Sequence, residues 1–471
     1  MTKQFRFTGY GLRVTPLRAL MVLLPIQHLV AAPITLSLWQ GFKFSEVAML
    51  KSNVDEFTRD WNSHHPDEPL TIRIDQVPFD EMVRKVKSAA PARLLPDMVF
   101  VDANKMVPLA YGGAALALDT ISNSETSDVQ SLRKRYVPGA FDTNVVQFKG
   151  ASHLYGIPAQ TTSLALFWNK KMFKSHSSQL RAAGLADDRP PRDWDEFIKV
   201  ARILTEPDKG IYGFGMNNSL WFTMPFLNQY GVEMVRRGAD GKLRASLIAT
   251  HAIEAIDRKV NLYQKEKIEG GAWRDGNLNP DQGFQNEKYA MVLTGPWMIE
   301  NFRSTGLDFG VALIPRVPLP EAKALGLVPA DATEESTATQ SLSAGNIGGQ
   351  NLVVTTTCKR PEVAIAFAVY FTSELVQRRW AEELGQIPVL LKAHENLNLA
   401  KFPEVPTFIE QVRLSRPWPA LPFTGTLETE IFNPEINLVL QGKQSAEQAL
   451  KNVEAAMTER ILKPVNEAES P

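Results

Sequence analysis

Apolar and polar positions alternate or recur with a clear period along most of the chain. Ile34-Thr35-Leu36-Ser37-Leu38-Trp39 alternates in the manner of a strand and ends at Gln40-Gly41-Phe42. Val47, Leu50, Val54, Phe57 and Trp61 then recur at three- and four-residue spacing, which predicts a helix over Glu46–His64. A strand at Leu70–Ile74, a helix carrying Met82, Val83 and Val86, and a strand from Asp97 toward Asn104 follow. Strand–helix–strand–helix–strand predicts a mostly parallel sheet. Its ligand crevice would lie outside the carboxyl ends of the strands, where Trp39-Gln40, Phe79-Asp80 and Asp102–Asn104 stand. Each of these also has a plain structural reading, Phe79 as core and Asp80 or Asp102 as a helix cap.

The stretch from Tyr155 to Phe173 organises the rest. Gln160-Thr161-Thr162-Ser163 leads into the apolar run Leu164–Trp168, which stops at Asn169-Lys170-Lys171. Such a run suits a strand buried on both faces. Four consecutive hydrogen-bonding side chains at its entrance suit either a capped turn or a site for a polar, uncharged molecule.

Further along, a helix is predicted over Arg192–Leu204. A strand from Gly213 opens into a loop bearing Trp221, and a helix covers Ala249–Glu266 before a Gly270–Trp273 loop. Ala290–Gly295 reads as a short buried strand that breaks at Gly295-Pro296 before Trp297, and Phe309–Pro315 as another. Residues 316–344 show no periodicity and read as a surface loop or insertion, with strand Leu352–Thr355 behind. The C-terminal third is helical by pattern: Pro361–Thr372, Ser373–Glu383, Thr407–Val412, Phe432–Leu440 and Ser445–Leu462.

A chain of 471 residues exceeds one ordinary core, so two domains are expected. The net charge of −1 offers no electrostatic reason to expect nucleic acid or an anionic membrane surface. The amino terminus adds a compartment. Lys3, Arg6, Arg13 and Arg18 precede the apolar segment Ala19–Ala32, and no acidic residue occurs before Glu46. Residues 1–32 therefore read as a cleavable secretory signal, too short and interrupted to span a bilayer. Losing those four cations takes the net charge to −5. The single cysteine, Cys358, cannot form an intrachain disulfide, and an exported protein without disulfides points to a bacterial periplasm.

Phosphate-binding loops, nucleophile elbows and paired zinc-binding histidines are absent from the sequence. No cofactor or metal ion is expected, and Cys358 reads as packing. Asp97, Asp102 and Glu287 are the candidates for paired catalytic carboxylates, if there are any.

Read in order, L-S-L-W-Q-G-F, P-D-M-V-F-V-D-A, the Tyr155–Phe173 stretch, N-E-K-Y-A-M-V-L-T-G-P-W, G-G-Q-N-L-V-V-T, P-E-V-A-I-A-F-A-V-Y-F-T-S and G-K-Q-S-A-E-Q-A-L cover nearly all of 33–460. The ordered set resembles the type 1 extracellular solute-binding proteins of ABC importers, the maltose-binding-protein class. The long 316–344 stretch departs from that pattern, and no cysteine follows the leader to carry a lipid anchor.

The resemblance implies a two-lobed α/β fold with mixed parallel sheets flanked by helices, ligand in the interlobe cleft. One lobe would hold 33–158 and 310–371, the other 159–309 and 372–471, with the Tyr155–Phe173 stretch as first crossing. Carried over position by position, the cleft would be lined by Trp39, Gln40, Phe79, Asp102 and Asn104, by Gln160, Thr161, Trp221, Trp273, Gly295 and Trp297, and by Gly349, Gln386 and Trp418. The partners implied are a small carbohydrate and the permease subunits, with the protein itself a monomer.

P-W-P-A-L-P-F-T-G-T-L-E-T also resembles the glycerol-phosphate-binding branch. That branch has an arginine near the position of Glu428, where a carboxylate would repel phosphate, so a neutral sugar ranks first. A glycoside-processing enzyme ranks lower. A polyamine or metal-ion receptor is disfavoured, because cations call for converging carboxylates.

Overall fold

The computed structural model describes residues 32–469, apart from 44, 123–124, 149, 250 and 338–340. The basic and apolar leader expected to be cleaved lies outside the described residues up to position 31.

The first three strands form as the pattern predicts. β1 (Ile34–Gln40) buries Ile34, Leu36 and Leu38 on one face. Helix α1 (Ser45–His64) covers that face with Met49, Leu50, Val54 and Phe57. β2 (Leu70–Gln76) pairs with β1 in parallel, Leu38 opposite Ile74. Helix α2 (Met82–Ala89) then leads to β3 (Met98–Asp102), buried from Met98 to Val101 and parallel to β1 on its other side.

β4 (Ile157–Thr162) carries Gln160 and Thr161 and closes this five-stranded sheet at one edge. Ser163 and Leu164 then carry the chain to β5 (Ala165–Asn169), all five residues of which are buried, as the apolar run predicts. β5 is the middle strand of a second sheet, so the Tyr155–Phe173 stretch joins the two.

Helix α3 (Trp194–Ile203) starts on Asp193, whose side chain accepts from the Glu196 N–H. Trp221 stands in the first turn of helix α4 (Leu220–Gln229), not in a loop. That helix is buried nearly all round, its polar Thr223, Asn228 and Gln229 included, and holds Pro225, so its sequence carries no amphipathic period. Helix α5 (Ala252–Gln264) packs beside it.

β6 (Met291–Thr294) and β7 (Phe309–Ala312) flank β5, both antiparallel to it. The mostly parallel expectation therefore holds for β1, β2 and β3 alone. The lobe boundary expected at Gly310 falls inside β7, a strand of the second sheet. The chain re-enters the first sheet later, at β8 (Gly348–Val354), antiparallel to both β3 and β4.

The 316–344 stretch is not simply a surface loop. It contains helix α6 (Leu319–Ala324) and buries Val317, Ala322, Val328, Ala332 and Leu342 against the second core. Its apolar residues are spaced irregularly among prolines and alanines, which leaves no period to read.

Helix α7 (Pro361–Phe371) and helix α8 (Glu374–Leu384) both pack on the first core, with Val376, Trp380, Val389, Leu390 and Ala393 buried there. The second lobe's C-terminal portion thus begins after these residues, later than the expected 372. Helix α9 (Val405–Leu414) packs under the second sheet through Val405, Phe408 and Val412. Helix α10 (Asn433–Leu440) and helix α11 (Ala446–Met457) complete the second core.

Candidate functional site

Strand register assembles a polar row. Gln350 on β8 lies opposite Asp102 of β3 on one side and Gln160 of β4 on the other. The Gln350 amide nitrogen reaches Asp102 Oδ1 at 3.5 Å. Gln160 donates to Gln386 Oε1, and both amides point at one carboxylate oxygen, Glu46 Oε1, at 3.4 and 3.2 Å. Burial raises the pKa of Glu46 above the usual carboxylate range, against the lowering effect of the Lys43 N–H. Across the cleft, Ser45 Oγ donates to Glu300 Oε2 at 3.4 Å.

Gly349 lets β8 approach β4 at this row. Its φ of +123° is a conformation L side chains rarely adopt, and a Cβ there would sit 2.0 Å from the Gln160 carbonyl oxygen. A register shift follows at once, between Gln350 and Asn351. Thr161 is fully buried and donates to the Gly348 carbonyl at 3.4 Å, so its hydroxyl serves the sheet.

Two tryptophans of the second lobe stand near this row, Trp221 partly buried and Trp418, expected at the rim, buried in the second core. Trp221 stacks on Trp418 with centroids 6.2 Å apart and planes 11° from parallel. The Trp221 N–H donates to Glu428 Oε1 at 3.4 Å, and its carbonyl accepts from Asn346 Nδ2 at 2.9 Å. Its ring also lies over Gly348, where a Cβ would come within 2.5 Å of it. Gly348 and Gln350 are two strand residues apart, about 7 Å at the usual rise, so the Trp221 ring stands next to the polar row.

Trp297 is 44% exposed, and its ring folds back over Gly295, where a Cβ would meet it at 1.9 Å. Phe79 is 40% exposed beside Gly41. Thr424 Oγ1 crosses between the lobes to the Asn104 carbonyl at 2.8 Å, and Asn104 Oδ1 is buried without a hydrogen-bond partner.

Residues 46–378 match the family model of the bacterial extracellular solute-binding proteins. The chain belongs to that family. It is 20% identical over 386 residues to the galactooligosaccharide-binding protein of Bacillus subtilis, covering 81% of this chain and 80% of the relative. It is 22% identical over 450 residues to an sn-glycerol-3-phosphate-binding periplasmic protein of Brucella melitensis, covering 88% and 90%. The crystal structure of a cyclic α-maltosyl-1,6-maltose binding protein from Arthrobacter globiformis superposes with a TM-score of 0.70 at 19% identity, covering 93% of this chain and 99% of that one. This likeness fixes the two-lobed fold of the solute-binding family.

Several residues expected in the cleft are used elsewhere. Gln40 is buried and turned back on its own loop, accepting from the Phe42 N–H at 2.7 Å and donating to Gln76 at 2.5 Å. Trp39 alternates onto the opposite face of β1, where Lys85 Nζ sits 4.1 Å from its ring. Trp273 packs edge-on against Tyr263 at 5.5 Å, under the Arg274 guanidinium. Gly295 and Gly349 contribute space and backbone shape.

Glu46 and Gln350 belong to the polar row but were missed. Glu46 reads as an exposed helix position, and only the fold turns it toward Gln160. Gln350 could have been found from the Gly348-Gly349-Gln350 run at the start of a buried strand.

The three carboxylates considered for glycoside chemistry do not converge. Asp97 accepts from the Ser37 N–H and hydroxyl, both at 2.8 Å, just before β3, whereas Asp102 ends that strand. Five residues of strand separate them by about 16 Å, beyond the spacing of a hydrolytic pair. Glu287 is on the surface with Lys171. Among the described residues no group of three or more His, Cys, Asp or Glu could hold a metal ion. Cys358 packs at the edge of the first core, and burial pushes its thiol up to about 12.

Proposed function

We propose that this protein captures a neutral oligosaccharide and delivers it to the permease of an ABC importer, without chemical conversion. One observation carries the reading: the Trp221 ring, backed by the buried Trp418, lies over Gly348, two strand positions from Gln350 in the Asp102–Gln350–Gln160 row. Sugar rings present apolar C–H faces that aromatic planes cover. Their neighbouring hydroxyls suit amides and carboxylates that donate and accept in pairs. The names of the galactooligosaccharide and cyclic maltosyl-maltose relatives support the same class.

Closure of the two lobes would report occupancy to the permease, the hinge motion for which periplasmic binding proteins are the standing example. The leader and the lack of disulfides support a periplasmic location after cleavage near Ala31 or Ala32.

A second reading, a glycerol-phosphate ligand, is supported by the Brucella relative. The carboxylates of Glu46, Asp102 and Glu428 around the candidate cleft oppose it, because each repels a phosphate. Calorimetric titration with a galacto-oligosaccharide, maltotriose and sn-glycerol 3-phosphate separates the two. Saturable heat from a sugar is expected, and saturation by the phosphate ester alone overturns the carbohydrate reading.

A further inference from the structure

Behind the ring pair lies a charge that the cleft does not use. Lys259 on α5 is fully buried. Its ammonium donates to Asn218 Oδ1 at 2.9 Å and to Thr223 Oγ1 at 2.5 Å. The two acceptors bracket Trp221, one just before α4 and one in its first turn. Ser219, the N-cap residue of α4, makes no side-chain cap bond. Outside groups hold this corner instead: Asn433 Oδ1 accepts from the Leu220 N–H at 2.7 Å, and Asn437 Oδ1 accepts from Asn218 at 2.7 Å.

An ammonium is an expensive choice here. Burial strips its hydration, and the positive end of the α4 dipole is close by. Glu269, also buried, is the carboxylate whose charge offsets it. That carboxylate accepts from the Gly271 and Ala272 N–H groups at 2.8 and 2.7 Å, and so fixes the turn just before Trp273. A hydrophobic residue of similar volume would fill the same core space without the electrostatic cost. What lysine supplies beyond volume is two directed donors, both aimed at the segment carrying Trp221.

We propose that Lys259 is a positioning residue for ligand binding, whose two hydrogen bonds fix the first turn of α4 and hold the Trp221 ring against Trp418. Burial lowers the Lys259 pKa to about 7, with Glu269 opposing, and burial raises that of Glu269 to about 7. The geometry survives either protonation state, since a neutral amine still has two N–H donors for two acceptors. The affinity arm of the test rests on the carbohydrate reading; the spectroscopic arm does not.

The test follows the Trp418 indole N–H resonance in ¹⁵N-labelled full-length protein, assigned with Trp418→Phe. Trp221→Leu gives its position without the stacked neighbour. Lys259→Met is expected to move the resonance in the same direction and to weaken maltotriose binding roughly tenfold, the scale of a lost aromatic contact. Unfolding should stay cooperative, and adding Lys259→Met to Trp221→Leu should cost no further affinity. An unmoved resonance with unchanged affinity, whatever happens to the melting temperature, overturns the proposal. If Lys259→Met does not fold, Thr223→Val removes one acceptor at nearly constant volume and is read the same way, an unmoved resonance again overturning it. If wild-type protein ignores maltotriose, the binding reading fails for that sugar while the resonance still decides the role of Lys259.

Discussion

The two shores of the candidate cleft are built by different means. On the first lobe, Asp102, Gln350 and Gln160 stand on three neighbouring strands, so ladder register alone sets their spacing. On the second, Trp221 opens a helix and Trp418 lies in the Pro417–Pro419 loop, far apart in sequence and meeting only through tertiary packing. The polar shore is thus stiff in spacing, while the aromatic shore depends on side-chain supports such as Asn346, Asn433 and Glu428. A lesion in the backbone of the polar shore should therefore appear first as lost stability, and the loss of a side chain on either shore as lost affinity.

The largest effect tests the strands. Gly349→Ala places a Cβ against the Gln160 carbonyl at a φ of +123° and should cost about 3 kcal/mol of stability. Urea unfolding measures this, and a cost below that of an ordinary surface change breaks the picture of a register-set shore.

Trp221→Ala tests the aromatic side. It should weaken sugar binding by about 2 kcal/mol, roughly thirtyfold, in the range of an aromatic hot spot. Calorimetry beside a melting curve separates affinity from stability, and a larger change in stability than in affinity reverses the comparison.

Gln160→Ala removes a donor and an acceptor from the polar row. About tenfold weaker binding is expected, the worth of one hydrogen bond to a charged or well-placed group, with the fold retained. Unchanged affinity would detach Gln160 from the site.

The smallest effect is electrostatic. Because burial raises the folded pKa of Glu46, the folded state holds its proton more tightly than the unfolded state does. This group's contribution to stability is fully present below the ordinary carboxylate value and is lost as pH rises through the raised one. Glu46→Gln should remove that part of the slope between acid and neutral pH, as read from melting temperatures across the range. An identical slope in wild type and variant would show that Glu46 is solvated.

Much of the fold was legible because periodicity is a local signal. The alternation over Ile34–Trp39, the three–four spacing over 46–64 and the apolar run Leu164–Trp168 each produced the element they predict. Helix α4 was not legible, since it is buried on nearly every side, polar residues included, and contains Pro225. Nor was the burial of 316–344, where Val317, Val328 and Leu342 reach the second core without any repeat. Within the candidate site, Gln160 was visible as a polar break before a buried strand, whereas Glu46 looked like any carboxylate in a helix's first turn. Trp39 and Gln40 share a strand exit, but consecutive strand residues face opposite sides: Gln40 bonds back to its own loop and Trp39 lies under Lys85.

By itself the sequence determined the class of architecture, the place where the chain passes between sheets, and a stock of polar and aromatic residues fit for a neutral polar ligand. The strands, helices and residue stock follow from propensities and periods that act over a few residues. The two-lobed architecture and the crossing at Tyr155–Phe173 follow only from the resemblance of the ordered motifs to the solute-binding family. Only the tertiary structure decided which members of that stock meet. Gly349 brings β8 onto β4, Gly348 leaves room for the Trp221 ring, and Lys259 reaches that tryptophan's corner from another helix. Each of these depends on close approach between segments distant in the chain, which no local pattern encodes.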